Sequence, residues 1–244
     1  MNIEVMFDLI AFDADDTLWH NETLYARAQE KFQQLLASYH SQEWVEQRLY
    51  ETEMRNLQHF GYGIKAFTLS MIETAIELTE GRIQGDEILQ IVEAGKEMLN
   101  AEVQLLDNVE QTLATLSAAY PLMVITKGDL LDQHSKIERS GLARYFQHIE
   151  VVSEKSKESY AALLTRHKID AGRFIMIGNS LKSDILPVLE LGGSAVYIPY
   201  SLTWAHETIV DQEVDSNHYY QIERLALLPS LIDEISRSER EGSR

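Results

Sequence analysis

The sequence predicts an α/β protein: a doubly wound parallel sheet with an all-helical subdomain inserted after its first strand. Three observations predict it. A short apolar run, Phe7-Asp8-Leu9-Ile10-Ala11-Phe12, stops abruptly at Asp13-Ala14-Asp15-Asp16-Thr17. Purely helical periodicity then occupies the chain from Asn21 to Asn100. From Leu122 onward, short β-branched runs alternate with helical stretches, which implies parallel strands covered on both faces, a Rossmann-like core.

The first run reads as a buried strand whose C-terminal end opens into an acidic loop. In the helical stretch, Leu24, Ala28, Phe32, Leu35, Leu36 and Tyr39 form one apolar stripe. Trp44, Val45 and Leu49 mark a helix ending near Gly61, and Leu69, Ile72 and Ile76 one ending near Gly81. Ile88, Ile91, Val92, Gly95, Met98 and Leu99 mark a fourth. Strands follow at Leu122 to Thr126, Ile149 to Ser153, Phe174 to Gly178 and Ala195 to Pro199. The helices between them carry Leu130 to Ile137, then Tyr160, Leu163, Leu164 and His167, then Ile185, Leu189 and Gly192. The expected boundaries are 1–18 and 101–235 for the α/β core and 19–100 for the helical insert. Residues 236–244 are charged, lack apolar side chains and are expected to fray.

Composition narrows the function. The chain has 244 residues, 45% of them hydrophobic, enough for a core domain carrying an insert. Its 21 basic and 39 acidic residues give a net charge of −18, which repels a phosphate backbone and argues against nucleic acid as a partner. Cys is absent, so disulfides, thiolate nucleophiles and Cys-ligated metals are excluded. Neither a signal peptide nor a membrane-length apolar run is visible, so the expectation is a cytoplasmic protein with no membrane partner. The eight His show no metal-ligand spacing and read as ordinary surface or core residues.

In an open parallel sheet, ligands bind beyond the carboxyl ends of the strands. There the sequence delivers Asp13 and Asp15, then Thr126, Lys127 and Gly128, then Lys155, Ser156 and Lys157, then Gly178, Asn179, Ser180 and Asp184. Carboxylate and carbonyl oxygens suit magnesium, while Lys and Thr suit phosphate oxygens. The acidic cluster alone is moderately specific, whereas the threonine and the lysines alone are ordinary; the order on successive strands makes the pattern.

That pattern resembles the haloacid dehalogenase superfamily of phosphotransferases. Asp13-Ala14-Asp15-Asp16-Thr17-Leu18 is similar to its first motif, Thr126 to its second, Lys155 to its third, and Gly178-Asn179-Ser180 with Asp184 to its fourth. The likeness runs from Phe7 to about Pro199, and the helical insert sits where one large subgroup carries its mobile cap. Two residues depart from the pattern. Asn179 stands where the family usually has Asp, and Ser156 where Pro often follows the lysine, which leaves Lys157 competing with the favoured Lys155.

The resemblance implies a magnesium-dependent phosphatase acting on a small phosphomonoester through an aspartyl phosphate. Asp13 would be the nucleophile and Asp15 the acid and base, with Thr126, the Gly128 amide and Lys155 neutralising phosphate oxygens. Magnesium would meet the Asp13 carboxylate, the Asp15 carbonyl and Asn179, with Asp184 in support. Asp15 points to phosphate instead of carbon–halogen chemistry. A phosphomutase and a non-catalytic phosphate-binding protein are the alternatives. Lys127, Tyr62, Lys65 and Phe67 are expected to bind substrate, the last three from a loop between two insert helices. Trp19, His20 and Glu22 are expected at the hinge and the near edge of the pocket. The expected partner is a sugar phosphate or nucleoside monophosphate, with a homodimer possible.

Overall fold

The computed structural model describes residues 7–201, 204, 207, 214 and 217–242. Their contacts divide the chain into two compact units. One takes the chain to His20, Val103–Thr126 and everything from Ile137; the other takes Asn21–Glu102 and Lys127–Lys136.

The first unit is built on a six-stranded sheet of β1 (Leu9–Phe12), β2 (Leu122–Lys127), β3 (His148–Val152), β4 (Phe174–Gly178), β5 (Ser194–Tyr197) and β6 (Tyr219–Gln221). The spatial order is β3-β2-β1-β4-β5-β6. Strand β1 is central and pairs in parallel with β2 and β4; β4–β5 and β5–β6 are parallel too. The central strands β1 and β4 are buried at every position because both faces are covered. Ile10, Phe12, Val124, Ile175 and Ile177 pack on one face with Val109, Leu113, Leu228 and Ile232. Leu9, Ala11, Met123, Ile125 and Met176 pack on the other with Tyr160, Leu163 and Val188. The expected doubly wound architecture is present.

The helical unit contains α1 (Glu22–Leu35), α2 (Gln42–Phe60), α3 (Ile64–Leu78) and α4 (Gly85–Asn100). Ser41 caps α2 by accepting from the Trp44 amide. Gly61 ends that helix at φ 67°, a left-handed conformation that favours glycine. The expected stripe on α3 is rotated. Leu69 and Ile76 are exposed, whereas Ile64, Phe67, Met71, Ala75 and Leu78 are buried. The buried face also carries Ser70 and Thr74, and Asn56 donates to Ser70 Oγ across the α2–α3 contact. Small polar residues mark the close approach, so hydrophobic periodicity alone picked the wrong side.

The remaining helices are α5 (Val109–Ser117), α6 (Leu130–Arg139), α7 (Lys157–His167), α8 (Leu186–Leu189) and α9 (Leu228–Gly242). Helices α5 and α9 and strand β6 have no counterpart among the expected elements. The tail 236–244 is expected to fray, yet α9 continues to Gly242, and Leu228, Ile232 and Ile235 anchor one face of it. Residues 243–244, the first six residues and His206 lie outside the described residues. Among the described residues, no helix is long and apolar enough to cross a membrane.

Candidate active site

Strand β1 carries its pairing one residue further, through Asp13 N donating to Ile177 O at 2.8 Å, and so holds Asp13 at the sheet's C-terminal edge. The chain then folds back on itself. Leu18 N donates to Ala14 O, and Asp16 N to Trp19 O, both at 2.8 Å. The reversal places Asp16 at φ 61°, a conformation that Asp tolerates better than most residues. It also brings Thr17 Oγ1 to Asp13 Oδ2 at 3.1 Å and Trp19 Nε1 to Asp15 Oδ1 at 2.7 Å. Trp19, expected at the pocket edge, is instead fully buried with its N–H on Asp15. His20 pairs its Nδ1 with the Tyr200 hydroxyl at 2.6 Å.

Lys155, two residues before α7, supplies the cation. Lys155 is buried, and its Nζ donates to Asp13 Oδ1 and, at 2.6 Å, to Asp184 Oδ1. Lys157 lies at the surface, 3.8 Å from Glu190. Of the two lysines, Lys155 is the one brought to Asp13. Burial opposes its charge, but Asp13 and Asp184 outweigh that and push its pKa well above the usual lysine range. Burial likewise pushes the Asp13 carboxyl up to about 7, with Asp184 and Asp15 adding to the effect and Lys155 opposing it.

Strand β4 delivers the rest. A Cβ on Gly178 would lie 2.2 Å from Asp184 Oδ2, so only glycine permits this approach. Asp184 Oδ2 accepts from Ser180 N at 3.0 Å, so both Asp184 oxygens are engaged, one by the lysine and one by its own loop. Asn179 points its amide at the Asp13 loop. Oriented to satisfy its neighbours, its nitrogen donates to Asp15 O at 3.3 Å and to Asp13 Oδ2 and Thr17 Oγ1 at 3.2 Å each. One polarised N–H₂ group is thus ringed by a carboxylate, a carbonyl and a hydroxyl oxygen. Such an all-oxygen set suits a hard divalent cation, with the amide turned to offer its own oxygen. No group of three or more His, Cys, Asp or Glu side chains arranged for a metal occurs among the described residues; this donor set is mixed. Thr126 is buried at the end of β2, level with the Asp13 loop through the Phe12–Val124 pairing.

The other expected contacts fall in the helical unit. Lys127 Nζ lies 4.0 Å from the centre of the Tyr62 ring, and Lys65 Nζ donates to Asp129 Oδ1 at 2.9 Å. Asp129 Oδ1 also caps α6 by accepting from Asp132 N at 3.0 Å. Slight burial opposes its charge, yet Lys65 and that amide hold the Asp129 carboxyl below the usual carboxylate range. Gly128 has φ 146°, again favouring glycine, and a Cβ there would meet Gln133 at 3.3 Å. Phe67 is not a loop residue. It is buried in the helical core with its ring 5.0 Å from that of Tyr25.

One carboxylate beside the site is not among the expected residues. Glu207 Oε2 accepts from Ser180 Oγ at 2.5 Å and from Ser183 Oγ at 2.6 Å. It follows β5 in the chain, past another C-terminal strand end, and that position is its signal in the sequence.

The chain belongs to the haloacid dehalogenase-like hydrolases, whose family model matches residues 7–192. A haloacid dehalogenase-like family hydrolase from Xanthomonas campestris is 40% identical, with 99% of this chain and 97% of that one covered and a TM-score of 0.88. A 2-haloacid dehalogenase from Pseudomonas syringae, 24% identical over 93% of this chain and 99% of its own, shares the fold with a TM-score of 0.63. Two curated relatives are phosphatases. Mouse N-acylneuraminate-9-phosphatase is 27% identical over 137 residues, 54% of this chain and 53% of that protein. Glyceraldehyde 3-phosphate phosphatase of Methanothermobacter thermautotrophicus is 28% identical over 147 residues, 57% and 60% respectively. The chain therefore matches little more than half the length of these curated relatives.

Proposed function

We propose that the protein is a magnesium-dependent phosphatase of small phosphomonoesters. The observation that carries this reading is the pairing of Asp13 with Asp15. Asp13 is buried against Lys155, and Asp15, two residues on, presents a carboxylate held by the Trp19 N–H. Asp13 attacks phosphorus, and the bond to the leaving oxygen breaks as Asp15 protonates that oxygen. Asp15 then takes a proton from water, the water oxygen attacks phosphorus, and inorganic phosphate leaves with Asp13 restored. Lys155 and Thr126 neutralise phosphate oxygens, so positioning and charge do most of the work. Magnesium, held by the Asp13 carboxylate, the Asp15 carbonyl and the Asn179 amide oxygen, would add positive charge beside the phosphate.

An acid two residues beyond the nucleophile has no part in displacing halide from carbon, so the dehalogenase-type fold neighbours do not favour that chemistry here. The curated relatives, named for phosphatase reactions on N-acylneuraminate 9-phosphate and glyceraldehyde 3-phosphate, support a small phosphorylated metabolite. The test is phosphate release from a panel of sugar phosphates, nucleoside monophosphates and related esters with magnesium. Release is expected for at least one ester, and Asp15→Asn should slow it by roughly 10²–10⁴-fold. Halide release from 2-haloacids with no phosphate release from any ester would overturn the reading.

A further inference from the structure

We infer that Glu207 is a positioning residue, clamping the loop that carries Asn179 and Asp184; the inference rests on the phosphatase reading for what that loop serves. Its Oε2 accepts from the hydroxyls of Ser180 and Ser183, at 2.5 and 2.6 Å. Those serines are the immediate neighbours of Asn179 and of Asp184, so one carboxylate grips the loop beside both residues on the cation side of the site.

The bonding is directional. A carboxylate only accepts, so both hydroxyl hydrogens must point at Glu207. That leaves a Ser180 Oγ lone pair for the Ser183 amide, which donates to it at 3.0 Å. Ser180 N then donates to Asp184 Oδ2, and Asp184 Oδ1 holds Lys155, which holds Asp13. Glu207 thus holds Ser180, the residue at the head of this chain of bonds. Ser180 caps a π-helical turn, Leu181–Ile185, an uncommon geometry, and Ser183 lies within it. Ser180 and Ser183 are both buried, so loss of Glu207 would leave two hydroxyls without this acceptor.

The departure at Asn179 explains why the clamp matters. A carboxylate attracts a cation whichever way it turns, but an amide does so only through its oxygen. With Asn at this position, aim replaces charge, and the adjacent Ser180 has to be held still.

The test compares wild type, Glu207→Gln and Glu207→Ala, all as full-length protein, by two measurements. Hydrogen exchange of the metal-free proteins should be faster in 179–185 for Glu207→Ala and unchanged in α1. Calorimetric magnesium titration should show about tenfold weaker binding in Glu207→Ala, the scale for losing an outer partner of a metal ligand. Glu207→Gln, which keeps shape and one acceptor oxygen, should fall between. Unchanged exchange in 179–185 would overturn the clamp, whatever the metal does. Faster exchange with magnesium affinity within twofold of wild type would overturn its role toward the site. Failure of wild type itself to bind magnesium would instead count against the phosphatase reading, while exchange would still judge the clamp.

Discussion

Asp13 is buried, touched by a lysine and near two further carboxylates, and its proton is the most sensitive reporter of that setting. Its carboxyl is pushed from 3.8 up to about 7, so the folded chain binds this proton more tightly than the unfolded chain does. Stability from this group is therefore complete at low pH and is lost as pH rises between about 4 and about 7. Asp13→Asn cannot titrate and lacks this slope. In metal-free protein, the melting temperature of the variant minus that of wild type should grow across that window and level off above it. A difference that stays constant from pH 4 to pH 8 would mean that Asp13 does not titrate as its burial and neighbours require. Asp184 acts at the same scale: with both oxygens occupied, by Lys155 and by its own loop, it anchors the lysine first. Asn179 is the residue whose amide reaches the Asp13 loop.

At the scale of elements, α3 is where expectation and structure part most clearly. Phe67 sits in the helical core with Tyr25, Met71 and Ile64 instead of lining a loop. Phe67→Ala should cost about 3–5 kcal/mol in denaturant unfolding of the helical unit, the usual cost of emptying an aromatic core site. A residue that merely touched substrate would change substrate preference and leave unfolding nearly unaltered. The strands were legible because buried parallel strands read as apolar runs, and β4 lies where the run Phe174 to Gly178 puts it. The site residues on strand ends were legible for the same reason: a parallel sheet gathers those ends on one edge. What stayed hidden depended on distant partners. The buried face of α3 is partly Ser and Thr, β6 spans only Tyr219–Gln221, and Glu207 finds its serines across the fold. Helix α9 was readable, since Leu228, Ile232 and Ile235 recur at helical spacing, and charge in the tail masked it. Asp129 serves two local purposes, the α6 cap and the ion pair with Lys65.

The whole molecule carries a net charge of −18, so its general field opposes a phosphate dianion and the attraction must be local. Lys155 brings a positive charge beside Asp13 but shares it with two carboxylates, so the proposed magnesium would have to supply the rest of the attraction. A haloacid dehalogenase-like hydrolase with Asp15 after Asp13 should carry the phosphoryl group on Asp13 during turnover. The most direct measurement uses Asp15→Asn with para-nitrophenyl phosphate, whose leaving group needs no acid. Breakdown of the phosphorylated enzyme should then lag behind its formation. Acid quenching and peptide mass mapping should find one phosphoryl group on Asp13, and none in Asp13→Asn. Phosphate release by wild type with no phosphoryl group on Asp13 in the Asp15→Asn enzyme, together with turnover retained by Asp13→Asn, would contradict the account.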